Sequence, residues 1–411
     1  MELLLILFSV LLVGVALSKV LKAKELIDGL KGVDEEPISN SEIKTNALGL
    51  LIFGFVFFAL LIAQIVGWDK FLLPSAASVH GAEIDTLMEV TMILILSVFF
   101  ITQGLLFWFG FKYYFKPGVK GFWFPHDNRL EMAWTIVPAT VLILLVTYGM
   151  STWDNVMNPK NEPDLNIEFV SEQFKWTARY AGVDQTLGEA SFALYGSNSV
   201  GVATKDAMIK RLGECQVSIK GFVADSVRLE KLIAEGWNKM DKLDDVESSL
   251  KNYRANIVRL NRMLNHYHKF PAKYDAGKDD IVINNNRVKI PKGKTIKFQF
   301  RSKDVIHSAY FPHFRAQINS VPGMKTEFTF TPKETNAEFN KKAIKEGKVY
   351  LKTVRDEDKN IISQVETPGS TGFILLCNKI CGASHYNMKV YIDVVEQKEY
   401  DKWIASQKTF E

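Results

Sequence analysis

Cysteine is scarce in this sequence, and the few present fall outside the commonest haem and zinc patterns. Three occur in 411 residues, and none belongs to a C-x-x-C-H run, which excludes a covalently attached c-type haem. No C-x-x-C or H-x-x-x-H pair occurs either, which argues against a structural zinc site. A large excess of one charge is also missing. The formal net charge is only +4 and no basic stretch is interleaved with aromatics, so nucleic acid is not an expected partner. Finally, no lysine or arginine precedes the first apolar run, which Met1-Glu2 opens. A cleaved secretory signal normally has such a positive start, so this run is expected to stay as a helix.

Apolar sequence is abundant but unevenly spread. Mean hydropathy is zero, yet the first 152 residues hold four long apolar spans, at about 2–18, 46–67, 87–111 and 130–152. Each is near or above the length that crosses a ~30 Å hydrocarbon core. Lys19, Lys22, Lys24, Lys31 and Lys44 follow the first span, and Lys112, Lys116, Lys120 and Arg129 follow the third. Between the second and third only Lys70 is basic. The positive-inside bias then places both basic loops in the cytoplasm, with the N-terminus and everything after Trp153 outside. The expected setting is a bacterial plasma membrane, the soluble part being periplasmic or exterior.

Near the C-terminus stands Cys377-Asn-Lys-Ile-Cys381-Gly-Ala-Ser-His385-Tyr-Asn-Met388, and seventy residues earlier Asp304-Val-Ile-His307-Ser308. Two thiolates, two imidazoles and a thioether are donors that copper takes. A mononuclear blue-copper site needs one Cys, two His and a weak Met, so the second Cys is surplus unless both sulfurs bridge two coppers. A disulfide would leave His307, His385 and Met388 unexplained. Cys215 stands alone and reads as a small buried hydrophobe.

This pattern resembles the CuA motif of cytochrome c oxidase subunit II. The resemblance implies that Cys377 and Cys381 bridge both metals, that His307 and Met388 complete one copper, and that His385 with the backbone carbonyl of Lys379 completes the other. The family commonly has Glu where Lys379 stands, a carboxylate that helps bind a magnesium ion against subunit I; a lysine cannot supply that hard oxygen, so this chain is expected to contribute nothing to that magnesium site. The segment Asn128-Arg-Leu-Glu131-Met-Ala-Trp-Thr-Ile-Val-Pro138 is similar to the start of the family's second membrane helix, and implies for Glu131 a place at the cytoplasmic mouth of a proton path. Gln173-Phe174-Lys175-Trp176 falls where the family often has Gln-Trp-x-Trp, so Phe174 and Trp176 mark the expected electron-entry region, with Phe174 lacking an indole N–H. Asp304 remains of the carboxylates that usually steer a cytochrome c, while Asn319 stands where the family often has an acid. A cytochrome c domain tethered in a neighbouring complex would need less such steering.

The fold expected is a set of N-terminal transmembrane helices followed by an all-β sandwich, of the cupredoxin type by resemblance, with a helical hairpin inserted. Short β-rich runs at Ile167–Trp176, Asp280–Asn284, Thr295–Phe300, Glu327–Phe330, Phe373–Leu376 and Val390–Val395 support the sandwich, and Glu399–Lys408 reads as a short final helix. Pro291-Lys-Gly293 and Val321-Pro-Gly-Met324 give turns. The insertion is read from Leu243, Val246, Leu250, Tyr253, Ile257, Leu260, Leu264 and Tyr267, which recur at steps of three and four. A second stripe lies upstream (Val227, Leu229, Leu232, Ile233, Trp237, Met240), and Asp241–Asp244 offers a break between the two. His266 and His268 read as solvated surface histidines; His313 is expected near the copper ligands or facing subunit I, and His80 and His126 have no evident partner. The domain plan is therefore 1–68 for two additional helices, 69–155 for the helix pair typical of subunit II, 156–187 and 279–411 for the sandwich, and 188–278 for the insertion.

Together these readings describe the electron-input subunit of a haem–copper oxygen reductase. It would take electrons from a cytochrome c at a dinuclear copper centre and pass them to haem a in subunit I, where CuB, oxygen reduction and proton translocation reside. The alternative is a quinol-oxidase-type or purely structural subunit II, which would lack the copper ligands; a nitrous-oxide reductase domain would lack the membrane spans.

Overall fold

The computed structural model describes residues 14–16, 19–24, 26–27, 39–68, 74–158, 162–348, 350–355, 361–366 and 372–411. The first apolar span lies, apart from 14–16, outside the described residues. The other three are helices long and apolar enough to cross a membrane: α1 (Asn40–Gly67), α2 (Val79–Lys112) and α3 (Asn128–Met157). Each extends beyond its apolar core by a turn or more, because flanking polar residues continue the backbone hydrogen bonding without entering lipid.

The chain divides into two compact units. The first contains α1 and the second half of α2. Its contact is aromatic: Phe53, Phe57 and Phe58 of α1 meet Phe99, Phe100 and Phe107 of α2 at ring-centroid distances of 5.2 to 6.4 Å. Gly54 makes room for Phe107, whose ring would lie 2.6 Å from an added Cβ. Small residues at such crossings let helices approach closely in lipid.

The second unit contains the start of α2, all but the first residue of α3, and the soluble part. Its core is two five-stranded sheets. One has the order β3-β2-β1-β5-β8, from β1 (Leu165–Glu172), β2 (Lys175–Tyr180), β3 (Ile281–Ile283), β5 (Ile296–Ser302) and β8 (Thr326–Phe330). The other has the order β4-β12-β11-β6-β7, from β4 (Arg287–Pro291), β6 (His307–Phe311), β7 (Ala316–Ser320), β11 (Phe373–Cys377) and β12 (Lys389–Val395). A separate ribbon pairs β9 (Tyr350–Arg355) with β10 (Ile361–Glu366). Strand β1 runs parallel to β5, and β12 parallel to β4; the remaining neighbours are antiparallel. Phe169, Phe298, Phe300, Phe311, Phe314, Phe330 and Phe373 are buried between the sheets. Aromatic side chains of this size dominate the burial energy of such a core.

Two local readings need correction. The run Ile167–Trp176 is not one strand: a turn at Gln173-Phe174 breaks it into the β1–β2 hairpin, pairing Glu172 with Lys175. In the insertion, α4 (Lys205–Ala234) and α5 (Met240–Lys269) form an antiparallel pair, but their turn comes before Asp241, at Gly236 (φ +92°). Left-handed backbone favours glycine over the Asp-rich stretch that follows, which instead supplies the acidic first turn of α5. All eight heptad positions of α5 are buried or half-buried.

A short helix α6 (Pro271–Asp275) returns the chain to β3. Helix α7 (Asn336–Lys345) opens with a capping box at Thr335 and Glu338, and α8 (Gln397–Ile404) is the expected final helix. Cys215 is fully buried in the insertion beside Met208 and Leu260. His266 is not simply solvated: its Nδ1 lies 2.9 Å from the Tyr274 hydroxyl. His313 lies at the end of β6 away from His307, between Phe339 and Phe373, and His80 packs on Phe328 and Phe330. The surroundings of both are therefore aromatic, and neither joins the metal donors.

The insertion is held at its neck by a buried charge network. Arg179 contacts Glu168 at 2.8 Å and Asp280 at 3.0 Å, and donates to the carbonyl of Gly188. Arg301 binds Glu168 through two nitrogens and donates to the Val200 carbonyl and the Tyr195 hydroxyl. Desolvation pushes Glu168 up, but Arg179 and Arg301 hold it below the ordinary carboxylate range. Asp280, served by Arg179 alone of the two, is pushed by burial to about 7.

Candidate metal centre

Four connections lie at one end of the sandwich: the β1–β2 turn, the β5–β6 and β7–β8 loops, and the long β11–β12 loop. The opposite end is where the membrane helices join, since Ala77 N–H donates to the His313 carbonyl and Val79 N–H to the Thr331 carbonyl.

His307 opens β6 and is fully buried. Its Nε2 lies 2.8 Å from Asp304 Oδ1, which leaves Nδ1 facing Cys377 Sγ at 3.8 Å. Cys377 closes β11. Its Sγ lies 3.9 Å from Cys381 Sγ and 3.3 Å from the Lys379 carbonyl oxygen. Cys381 Sγ in turn lies 3.6 Å from His385 Nδ1 and 3.9 Å from Met388 Sδ. All six expected donor groups thus converge, with the Lys379 carbonyl directed inward and the residue otherwise exposed. The ligand atoms of His307, Cys377 and Cys381 lie within 4.8 Å of one another.

The donor set fits a soft or borderline cation. Both cysteines are free thiols, and 3.9 Å is nearly twice a disulfide bond length. Burial, with Cys377 alongside, pushes the Cys381 thiol up to about 11. Two buried thiols without a positive charge between them resist ionisation; a bound cation reverses that preference.

Other residues shape the cradle. Asp304 Oδ2 accepts from Gln173 N–H at 2.7 Å, and the Gln173 side-chain amide donates to the Cys381 carbonyl. Burial raises Asp304, but hydrogen bonds from His307, Gln173 and Val305 outweigh it and hold the carboxyl below its ordinary value. Phe174 lies over Gly382, where an added Cβ would come within 2.8 Å of its ring. Trp176 is 2% exposed, its ring 6.0 Å from that of His307. Glu131 is not part of this cluster. It sits in the first turn of α3, roughly 40 Å along the helix from Met157. In the sequence Gln173 belongs to an aromatic motif, and Asp304 to the segment that carries His307 and to the acids that would steer a donor. The Asp304–His307 contact spans only three residues, whereas Gln173 reaches Asp304 and the Cys381 carbonyl from far along the chain and leaves no local signal.

A membrane-anchored two-sheet domain with a His/Cys cluster on its loops defines the class. Residues 66–151 match the cytochrome c oxidase subunit II transmembrane domain. The chain is 33% identical over 134 residues to the alternative cytochrome c oxidase subunit 2 of Bradyrhizobium diazoefficiens, a match spanning 33% of this chain and 36% of that relative. With the cytochrome c oxidase subunit 2 of Cereibacter sphaeroides it shares 21% identity over 335 residues, 82% of this chain and 79% of the relative. A solved periplasmic domain of cytochrome oxidase subunit II from Bradyrhizobium japonicum aligns at 16% identity with a TM-score of 0.26, over 60% of this chain and 94% of that one. Over residues 66–151 the chain is similar to cytochrome c oxidase subunit II, and it spans only about a third of the length of the relative it matches at 33% identity.

Proposed function

We propose that the chain is the electron-input subunit of a haem–copper oxygen reductase, accepting electrons from a cytochrome c and delivering them to haem a in subunit I. The observation that carries this reading is the convergence of His307, Cys377, Lys379 (through its carbonyl), Cys381, His385 and Met388 on one buried point. Bound there as a dinuclear copper centre, the metal supplies one-electron redox chemistry. The chain's own residues hold the geometry. Cys377 and Cys381 would hold the metal pair between them, His307 with Met388 and His385 with the Lys379 carbonyl would complete its donors, and Asp304 orients the His307 ring. A sheet-borne cradle keeps its shape in both oxidation states, which limits reorganisation.

Phe174 and Trp176 form the apolar route inward on this reading. Around them Ile306, Met324, Ile380 and Tyr386 are exposed, the last two at 89% and 83%. The nearby acids are engaged internally, Glu172 with Lys175 and Lys303, and Asp304 with His307. That surface suits a cytochrome c held by tethering better than one steered by charge. Glu131 is assigned to the proton-path entrance, the N-terminus and metal domain to the periplasmic side, and 188–278 to an accessory insertion.

Copper-loaded full-length chain, partly oxidised, tests the central claim by EPR. About two coppers per chain with one unpaired electron shared between two nuclei supports it. A single-nucleus spectrum or no copper uptake by folded protein overturns it.

A further inference from the structure

The β6–β7 hairpin has two different ends. At one, His307 enters the metal cluster and pairs with Ser320. At the other, its connection Pro312–Arg315 grips the start of a membrane helix. Arg315 Nε and Nη2 bind the two oxygens of Asp85 at 2.7 and 3.0 Å, Nη2 also donates to the Pro74 carbonyl, and Nη1 to the Pro312 carbonyl. Asp85 lies two turns into α2 and also accepts from Ala76 N–H. Around this fork, Ser78 Oγ donates to the Phe314 carbonyl and Lys333 N–H to the Ala77 carbonyl. Ala77 and Ser78 are fully buried.

Arg315 holds this fork from a left-handed backbone (φ +55°), a conformation that disfavours side chains. A bidentate guanidinium–carboxylate pair is both strong and directional, so it fixes orientation as well as attachment. The strand between the grip and the metal ligand is short. Five residues at about 3.3 Å each set the separation at roughly 17 Å.

We infer that Arg315 and Asp85 are a positioning pair: through the β6–β7 hairpin they fix the height and tilt of the metal-bearing end relative to the membrane helix α2, and hence its distance to an acceptor in the membrane partner. The inference rests on the electron-input reading for its purpose but not for its geometry. Arg315→Gly removes the fork while suiting the left-handed backbone, and Asp85→Asn removes the charge while keeping the shape. Full-length chain in lipid nanodiscs would carry spin labels, introduced through non-natural amino acids, at exposed Thr86 on α2 and Met324 in the β7–β8 turn.

The distance distribution should be narrow in the parent and broaden markedly in either variant, with the double variant no broader than the singles, as one shared interaction requires. In the assembled oxidase, electron delivery from the metal centre should slow by about tenfold with its EPR spectrum unchanged. An unchanged distribution overturns the inference, and so does a broadened one with undiminished electron delivery. The distance is read without metal, so failure to take up copper would defeat the functional reading separately.

Discussion

Asp304 holds His307, a proposed metal ligand, with one oxygen and the β1–β2 turn with the other. Asp304→Asn leaves its shape but removes the charge, and copper affinity, followed by competition with a chelator, should fall roughly 10- to 100-fold. Asp280 gives a pH signature instead. Its folded value near 7 lies above the ordinary 3.8, so the folded state holds the proton more tightly than the unfolded chain. Its contribution to stability is fully present below about pH 4 and is lost as pH rises through 7. Urea unfolding between pH 5 and 8 should therefore show a flatter profile for Asp280→Asn than for the parent, even though the variant loses the Arg179 pair at every pH; parallel profiles would refute this. The donors themselves were legible in the sequence because each side chain's chemistry and spacing identifies it. Asp304 stands three residues from the His307 it holds, whereas what Gln173 holds lies across the fold.

Among the elements, the apolar helices and α5 announced themselves, whereas the stripe upstream of α5 marked only the last part of α4, from Val227 on. The α5 stripe could be read because every heptad position is buried or half-buried. Strands β6 and β7 could not: β6 is buried at four of its five positions, so both its faces are covered and no alternation appears. The α4–α5 turn lies at Gly236 and not at the cap-forming aspartates, because the left-handed backbone the turn needs favours glycine. Leu260 is fully buried in the insertion's own core with Met208 and Cys215. Leu260→Ala should destabilise the insertion by about 2–5 kcal/mol, visible as earlier hydrogen exchange in α4 and α5, while copper binding stays intact. At the metal loop the opposite balance holds. Gly382 combines φ +140° with a Phe174 ring 2.8 Å from any Cβ, so Gly382→Ala should displace the β1–β2 turn and weaken copper binding with little change in the insertion.

For the whole molecule, engagement of the acids near the metal end predicts that turnover with the physiological donor falls only shallowly with ionic strength; a steep fall would favour a charge-steered, diffusing cytochrome. Glu131→Gln should slow turnover of the assembled oxidase without altering the EPR spectrum of the metal centre, which lies at the other end of the chain's architecture. The insertion has a different kind of consequence. Gly188 and Gly277 lie backbone to backbone, so close that a Cβ on Gly188 would meet Gly277 Cα at 2.2 Å. Strands β2 and β3 are neighbours in a sheet yet lie a hundred residues apart in the chain. Once α4 and α5 have paired through local contacts, that neck presents the two strands to each other as though a short loop joined them. During synthesis the insertion can form before β3 emerges, so the long interruption adds little to the search the sheet must make.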